Sequence, residues 1–101
     1  VTTPEGKIEK YLVKRVHETG GKTRKLKWIG HNGAPDRLIW WPPLATDPLS
    51  AFIFFVEVKA PGKKPTAQQT NEHKKMMQTG LTTWTVDTQD SVEFLIECRY
   101  K

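Results

Sequence analysis

The run Phe52-Ile-Phe-Phe-Val56 passes without a break into Glu57-Val58-Lys59, and this transition constrains the fold more than any other part of the chain. A continuous apolar stretch rich in aromatic and β-branched residues predicts a strand over Ala51 to Lys59, covered on both faces. Side chains alternate along a strand with period two, so Glu57 and Lys59 share one face. Ionised groups taken out of water without a partner are costly, so something must compensate them. Taken alone, Glu-X-Lys also describes an ordinary surface pair closing a strand.

Asp36 supplies the context. It follows Gly33-Ala-Pro35 and opens a short apolar strand, Asp36 to Trp41, which Pro42-Pro43 ends. The stretch from Pro42 to Ser50, with prolines at 42, 43 and 48, predicts a loop that reverses the chain before the next strand. If the two strands are antiparallel neighbours, the start of the first lies beside the end of the second. Asp36 and Glu57 then meet, and two carboxylates can share a hard cation such as Mg2+, which prefers oxygen ligands and retains waters that a phosphate can displace. Lys59 would stand beside the attacking water, to assist its deprotonation or to hold charge developing on a phosphate oxygen.

The surrounding elements follow from periodicity and capping. From Pro4 to about Thr19 the apolar residues Ile8, Leu12, Val13 and Val16 recur at helical spacing, with Pro4 suited to the first turn and Gly20-Gly21 to the stop. Glu9 falls inside that stripe and Glu5 one turn earlier; the plain alternative is a wet stripe edge, with Glu9 paired to Lys10 or Lys14. Lys22 to Ile29 reads as a basic strand or extended arm, and His31-Asn32-Gly33 as a turn. Thr66-Ala-Gln-Gln69 forms a capping box that predicts a helix to about Thr79, stopped by Gly80 and packed down by Met76, Met77 and Leu81. Leu81 to Asp87 is a further strand, and Ser91 to Cys98 has helical spacing, although a strand also fits. This order predicts a mixed sheet covered by helices.

At 101 residues the chain is expected to form one domain, residues 1–101. Its 16 Lys and Arg against 11 Asp and Glu, net charge +5, favour polyanionic partners such as nucleic acid. The lone Cys98 cannot form an internal disulfide, which fits a reducing, intracellular setting. No apolar run reaches membrane-spanning length and the first residues are charged, so a soluble protein without a signal peptide or membrane partner is expected, in the cytoplasm of a bacterial or phage-infected cell.

These residues resemble the PD-(D/E)XK nuclease superfamily and, within it, the virus-type replication-repair nuclease (VRR-NUC) domains. Pro35-Asp36 with Glu57-Val58-Lys59 matches the superfamily pattern, while Gly33-Ala-Pro-Asp-Arg37 and Phe55-Val-Glu-Val-Lys-Ala60 match the VRR-NUC style. The similarity extends from Pro4-Glu-Gly-Lys-Ile-Glu9 through Gly20-Gly21 to Gln69 and Gly80, and a chain this short resembles the stand-alone phage forms. The helix around Ile8 to Val13 also resembles that of the archaeal Holliday junction resolvases, which are homodimers. The resemblance implies an α/β, restriction-endonuclease-like core of order α-β-β-β-α-β. It makes Asp36 and Glu57 metal ligands, with the backbone carbonyl of Val58 as a third, and gives Lys59 the water-activating role. It adds a glutamate from the first helix, Glu9 by resolvase-like spacing with Glu5 as the alternate. Gln69 matches the helix glutamine of the family, with Gln68 as the other reading.

Lys22, Arg24, Lys25 and Lys27, together with Arg37, Lys63 and Lys64, are the candidates to track DNA phosphates; the alternative is a strand edge guarded by lysines. Trp28, Trp40, Trp41 and Trp84 suit core or dimer packing better than base stacking, and His17, His31 and His73 lack zinc-ligand spacing. The expected activity is a Mg2+-dependent endonuclease, with Mn2+ able to substitute, that hydrolyses phosphodiester bonds in branched or structured DNA and cuts four-way (Holliday) junctions as a homodimer. Flap- or nick-directed cleavage is the alternative activity. A non-catalytic basic DNA-binding module is the alternative class.

Overall fold

The computed structural model describes residues 2–47 and 52–100; the expected strand start at Ala51 and the last part of the loop, Pro48 to Ser50, lie outside the described residues. The chain begins with α1 (Pro4–Glu18), whose start Thr3 caps by accepting the Gly6 N–H on its hydroxyl at 2.9 Å. Ile8, Leu12 and Val16 form the buried stripe. The helix stops against Gly21, where a Cβ would come within 2.7 Å of the Trp41 indole nitrogen, so only glycine lets the helix end lie against that ring.

There follow β1 (Lys22–Lys25), β2 (Arg37–Trp41), β3 (Phe52–Val58), α2 (Ala67–Gln78), β4 (Thr83–Val86) and α3 (Gln89–Glu97). The strands form one sheet in the order β1-β2-β3-β4. β1 to β3 are antiparallel neighbours and β4 runs parallel to β3, a pairing that needs the crossover α2 provides. Ile39, Trp41, Val56, Val58 and Val86 of one sheet face pack with Ile8, Leu12 and Val16 of α1 and with Val92, Leu95 and Ile96 of α3. A one-residue slip of β3 would turn Val56 and Val58 out and drive Glu57 into this core. With each buried valine contributing about 1.5–3 kcal/mol, the register is firmly set. Glu93 ties the two helices together, accepting from Tyr11 Oη at 2.7 Å and from Arg15 Nε at 2.8 Å.

Several expectations need correction. The basic segment pairs only as far as Lys25: after the Leu26 N–H bonds Asp36 O at 2.9 Å, the chain leaves the sheet and Trp28 donates to Glu72 on α2. β3 is not covered along its whole length, since Ile53 is 54 % exposed and full burial is confined to Val56, Glu57 and Val58. Met77 and Leu81 do not pack α2 down; they are 66 % and 44 % exposed, and Met76 alone of the three is buried. The reason is rotational: Gln69, His73 and Met76 share the face turned to the sheet, and Met77 lies 100° further round. The terminal element is the helix α3, capped by Thr88 and Ser91. Trp41 is fully buried and Trp84 packs edge-on against Phe54, so both serve the core. Among the described residues no helix is long and apolar enough to cross a membrane.

Candidate active site

Pairing of Arg37 with Val56 sets the next step of the β2–β3 ladder, which places Asp36 across from Glu57. Because Val56 and Val58 turn into the α1–α3 core, Glu57 must turn to the opposite face, under α2. The two strands are locked at this point by the Val58 N–H, which donates to Asp36 Oδ2 at 2.7 Å. Val58 itself is buried on the far face, so only its backbone reaches the site.

Glu57 is 1 % exposed. Its Oε2 accepts from Gln69 Nε2 at 3.0 Å and lies 3.6 Å from Lys59 Nζ. Gln69 is thus the helix glutamine that reaches the site, held there by the same capping box with Thr66 that starts α2; Gln68 is exposed and turned elsewhere. Glu57 Oε1 is fully buried without a hydrogen-bond partner, and so is His73 Nε2, 3.7 Å away. Burial, and then the charge of the neighbouring Asp36, push Glu57 up to about 8 against the pull of Lys59. Burial also holds the His73 imidazole below its ordinary value, outweighing the attraction of Glu72 and Asp36.

Two acids set opposite each other, one of them wholly buried, resist ionising together without a cation between them. Among the described residues no group of three or more His, Cys, Asp and Glu side chains is arranged to hold a metal ion. A pair of carboxylates is nevertheless what Mg2+ commonly takes from a protein, with waters and substrate phosphate completing its shell. The unpartnered Glu57 Oε1 and the adjoining Asp36 therefore fit a hard divalent cation.

Glu9 is not part of this cluster. Its carboxylate takes Arg37 Nε at 2.7 Å and Lys25 Nζ at 3.2 Å. Burial would raise Glu9, but hydrogen bonds from Arg37 and Lys25 outweigh it and hold the group below the usual carboxylate range. Pairing with Lys10 or Lys14 is not seen either. Arg37 points to the α1 side of the sheet because it alternates with Leu38 and shares a face with Ile39, and its side chain is only 17 % exposed. It is a half-buried ion-pair partner of Glu9, and it borders the groove that Lys10, Lys14 and Lys25 line. Glu5 sits exposed in the first turn of α1.

The remaining cations are at the surface. Lys22, Arg24, Lys25 and Lys27 are exposed along and beyond β1, with Arg24 stacked over the Trp40 ring, and Lys63 and Lys64 are exposed in the loop between Lys59 and α2. Sequence reasoning missed a groove of about 460 Å3 between α1 and β1 that Lys10 and Lys14 line together with Lys25. It also missed His73 and Glu72. His73 was detectable, since once Gln69 faces the site the residue four positions on must face it too. Glu72 had no such signal, because its partners Trp28 and His31 come from a distant loop.

No family model matches the chain. It is 41% identical over 86 residues to a protein of Acyrthosiphon pisum secondary endosymbiont phage 1 named "Putative nuclease p44", with 85% of each chain covered. A solved structure described as a VRR_NUC domain is similar with a TM-score of 0.83 and 36% identity, covering 98% of this chain and 100% of that one.

Proposed function

The chain belongs to the VRR-NUC family, and from that premise we propose that it is a divalent-metal-dependent endonuclease that hydrolyses phosphodiester bonds in structured DNA and cuts four-way junctions as a homodimer. One observation carries the hydrolytic reading: Asp36 and Glu57 stand opposite each other where two adjacent strands meet, with Glu57 buried and an ammonium, Lys59 Nζ, 3.6 Å from it. A buried acid beside a second acid is costly to a fold unless a cation is shared there, and phosphate hydrolysis is a chemistry that such a cation serves.

Asp36, Glu57 and the backbone carbonyl of Val58 would hold the ion. When bound, the ion supplies Lewis-acid polarisation of the phosphate and makes water more acidic. Asp36 is kept in place by the Val58 N–H, and Glu57 by Gln69; both carboxylates are therefore oriented before substrate arrives, and little reorganisation remains for the reaction itself. Lys59 orients the attacking water and holds the negative charge that grows on the phosphate oxygen as the new P–O bond forms and the bond to the sugar oxygen breaks. Exposed Lys22, Arg24, Lys25, Lys27, Lys63 and Lys64 give a sequence-independent hold on the phosphates.

The preference for four-way junctions rests on family resemblance and on symmetry, since the two sites of a dimer suit paired cuts. The test is a panel of labelled four-way, flap, splayed and nicked DNAs incubated with and without Mg2+, using wild-type protein, Glu57→Ala and Lys59→Ala. Wild type should make symmetric junction cuts only with Mg2+, while both variants bind without cutting. Preference for flaps would reassign the substrate. Binding without cleavage by any preparation would leave a basic DNA-binding module.

A further inference from the structure

We propose that Glu72 is a positioning residue for the site: it pins the loop that delivers Asp36 to the helix that carries Gln69 and His73. The inference rests on the reading of Asp36 and Glu57 as the hydrolytic centre.

A carboxylate one residue from His73, beside a site meant for phosphate, repels the substrate unless it is engaged elsewhere. Glu72 is engaged at both oxygens. Oε2 accepts from Trp28 Nε1 at 2.7 Å, and Oε1 lies 3.1 Å from His31 Nε2. The Glu72 side chain is only 13 % exposed, and its bond to Trp28 is partly shielded from water, while the His31 contact lies at the surface. Both partners belong to the loop between β1 and β2, and the same loop is seated directly on α2. Gly33 has φ +90°, and a Cβ there would come within 2.8 Å of Gln68 O and 2.9 Å of Glu72 Cβ. Any other residue would lift the loop off the helix. Only Ala34 and the buried Pro35 separate Gly33 from Asp36, and proline fixes its own backbone angle, so a displacement of the loop is transmitted to Asp36.

Glu72 therefore sets the distance between two halves of the site. Asp36 arrives from the loop side, while Gln69 and His73, which border Glu57, arrive from α2. Without the pin, Trp28 and His31 lose their hold on the helix, and the Asp36 carboxylate is left to its bond with the Val58 N–H.

The test uses the full chain and two readouts. One is the pair of NMR signals from the Trp28 indole N–H and the Val58 amide, the second of which reports where Asp36 stands. The other is the single-turnover rate on a labelled four-way junction with saturating Mg2+. Glu72→Ala should shift both signals and speed exchange of the Val58 amide, slow cleavage by about 10- to 100-fold, as loss of outer-shell support typically does, and leave DNA affinity unchanged. Glu72→Gln keeps an acceptor for Trp28 and should restore most of the rate; Trp28→Phe should reproduce a weaker form of the alanine effect. A Val58 amide unmoved by Glu72→Ala, or a rate equal to wild type, overturns the proposal. Should Glu72→Ala fail to fold, Trp28→Phe is judged by the same two readouts. If wild-type protein cuts no DNA, the hydrolytic reading fails, and the Val58 amide alone decides whether Glu72 positions Asp36.

Discussion

Arg37 Nε holds Glu9 Oε2 at 2.7 Å, across the face of the sheet opposite to Glu57. This ion pair engages a glutamate expected in the cation shell and an arginine expected on the phosphate track with each other, and it fastens α1 to β2 one residue from Asp36.

Glu9→Gln should therefore lower stability by about 1.5–3 kcal/mol, the range for a hydrogen bond to a charged group, and leave divalent-cation affinity unchanged. Arg37→Ala should cost a similar amount, and the double variant should fall short of the sum because the two share one interaction. Denaturant unfolding and calorimetric titration with Mn2+ measure the two quantities. A drop in cation affinity for Glu9→Gln would return that residue to the metal shell.

Glu57 makes the metal-free protein less stable as pH rises. Its folded pKa of about 8 lies above that of an unfolded glutamate, so between roughly pH 4.3 and 8 the folded state binds more protons and loses stability with increasing pH. Glu57→Gln should raise metal-free stability at pH 8 by about 1–3 kcal/mol, the cost of a buried unsatisfied group, and should abolish stabilisation by Mg2+. Melting curves of both proteins at pH 5 and pH 8, with EDTA and with Mg2+, check this. A wild type indifferent to Mg2+ at pH 8 contradicts it.

The Glu93 cluster behaves in the opposite sense. Hydrogen bonds from Arg15 and then Tyr11 hold the Glu93 carboxyl below its ordinary value, so its contribution is present above the unfolded pKa and is lost as pH falls through the folded one. Glu93→Gln should melt lower than wild type at pH 7, and the gap should close as the pH is taken well below 4. A gap of constant size would show that the carboxylate charge contributes nothing.

Lys63 and Lys64 should act on binding rather than on chemistry. Replacing both with alanine should reduce the slope of log affinity against log salt by about 0.9 for each phosphate no longer neutralised, equally for different DNA sequences, and leave the single-turnover rate at saturating protein unchanged. Lys59→Ala should do the reverse, stopping cleavage with affinity retained. Fluorescence anisotropy across a salt series, beside quenched cleavage, separates the two.

What the sequence alone determined is whatever depends on local order along the chain. Alternation fixed Glu57 and Lys59 on one face at the end of β3, proline and apolar patterning placed Asp36 at the head of the neighbouring strand, and the Thr66–Gln69 box fixed where α2 begins. Those features depend on backbone geometry within a few residues and survive any arrangement of the rest. Partners drawn from different elements were decided by the tertiary structure. That Glu9 meets Arg37, that Glu72 meets Trp28, and that His73 lies over Glu57 depend on how each helix is rotated and seated on the twisted sheet. Helix seating comes from non-directional burial summed over the whole core, so no single segment encodes it.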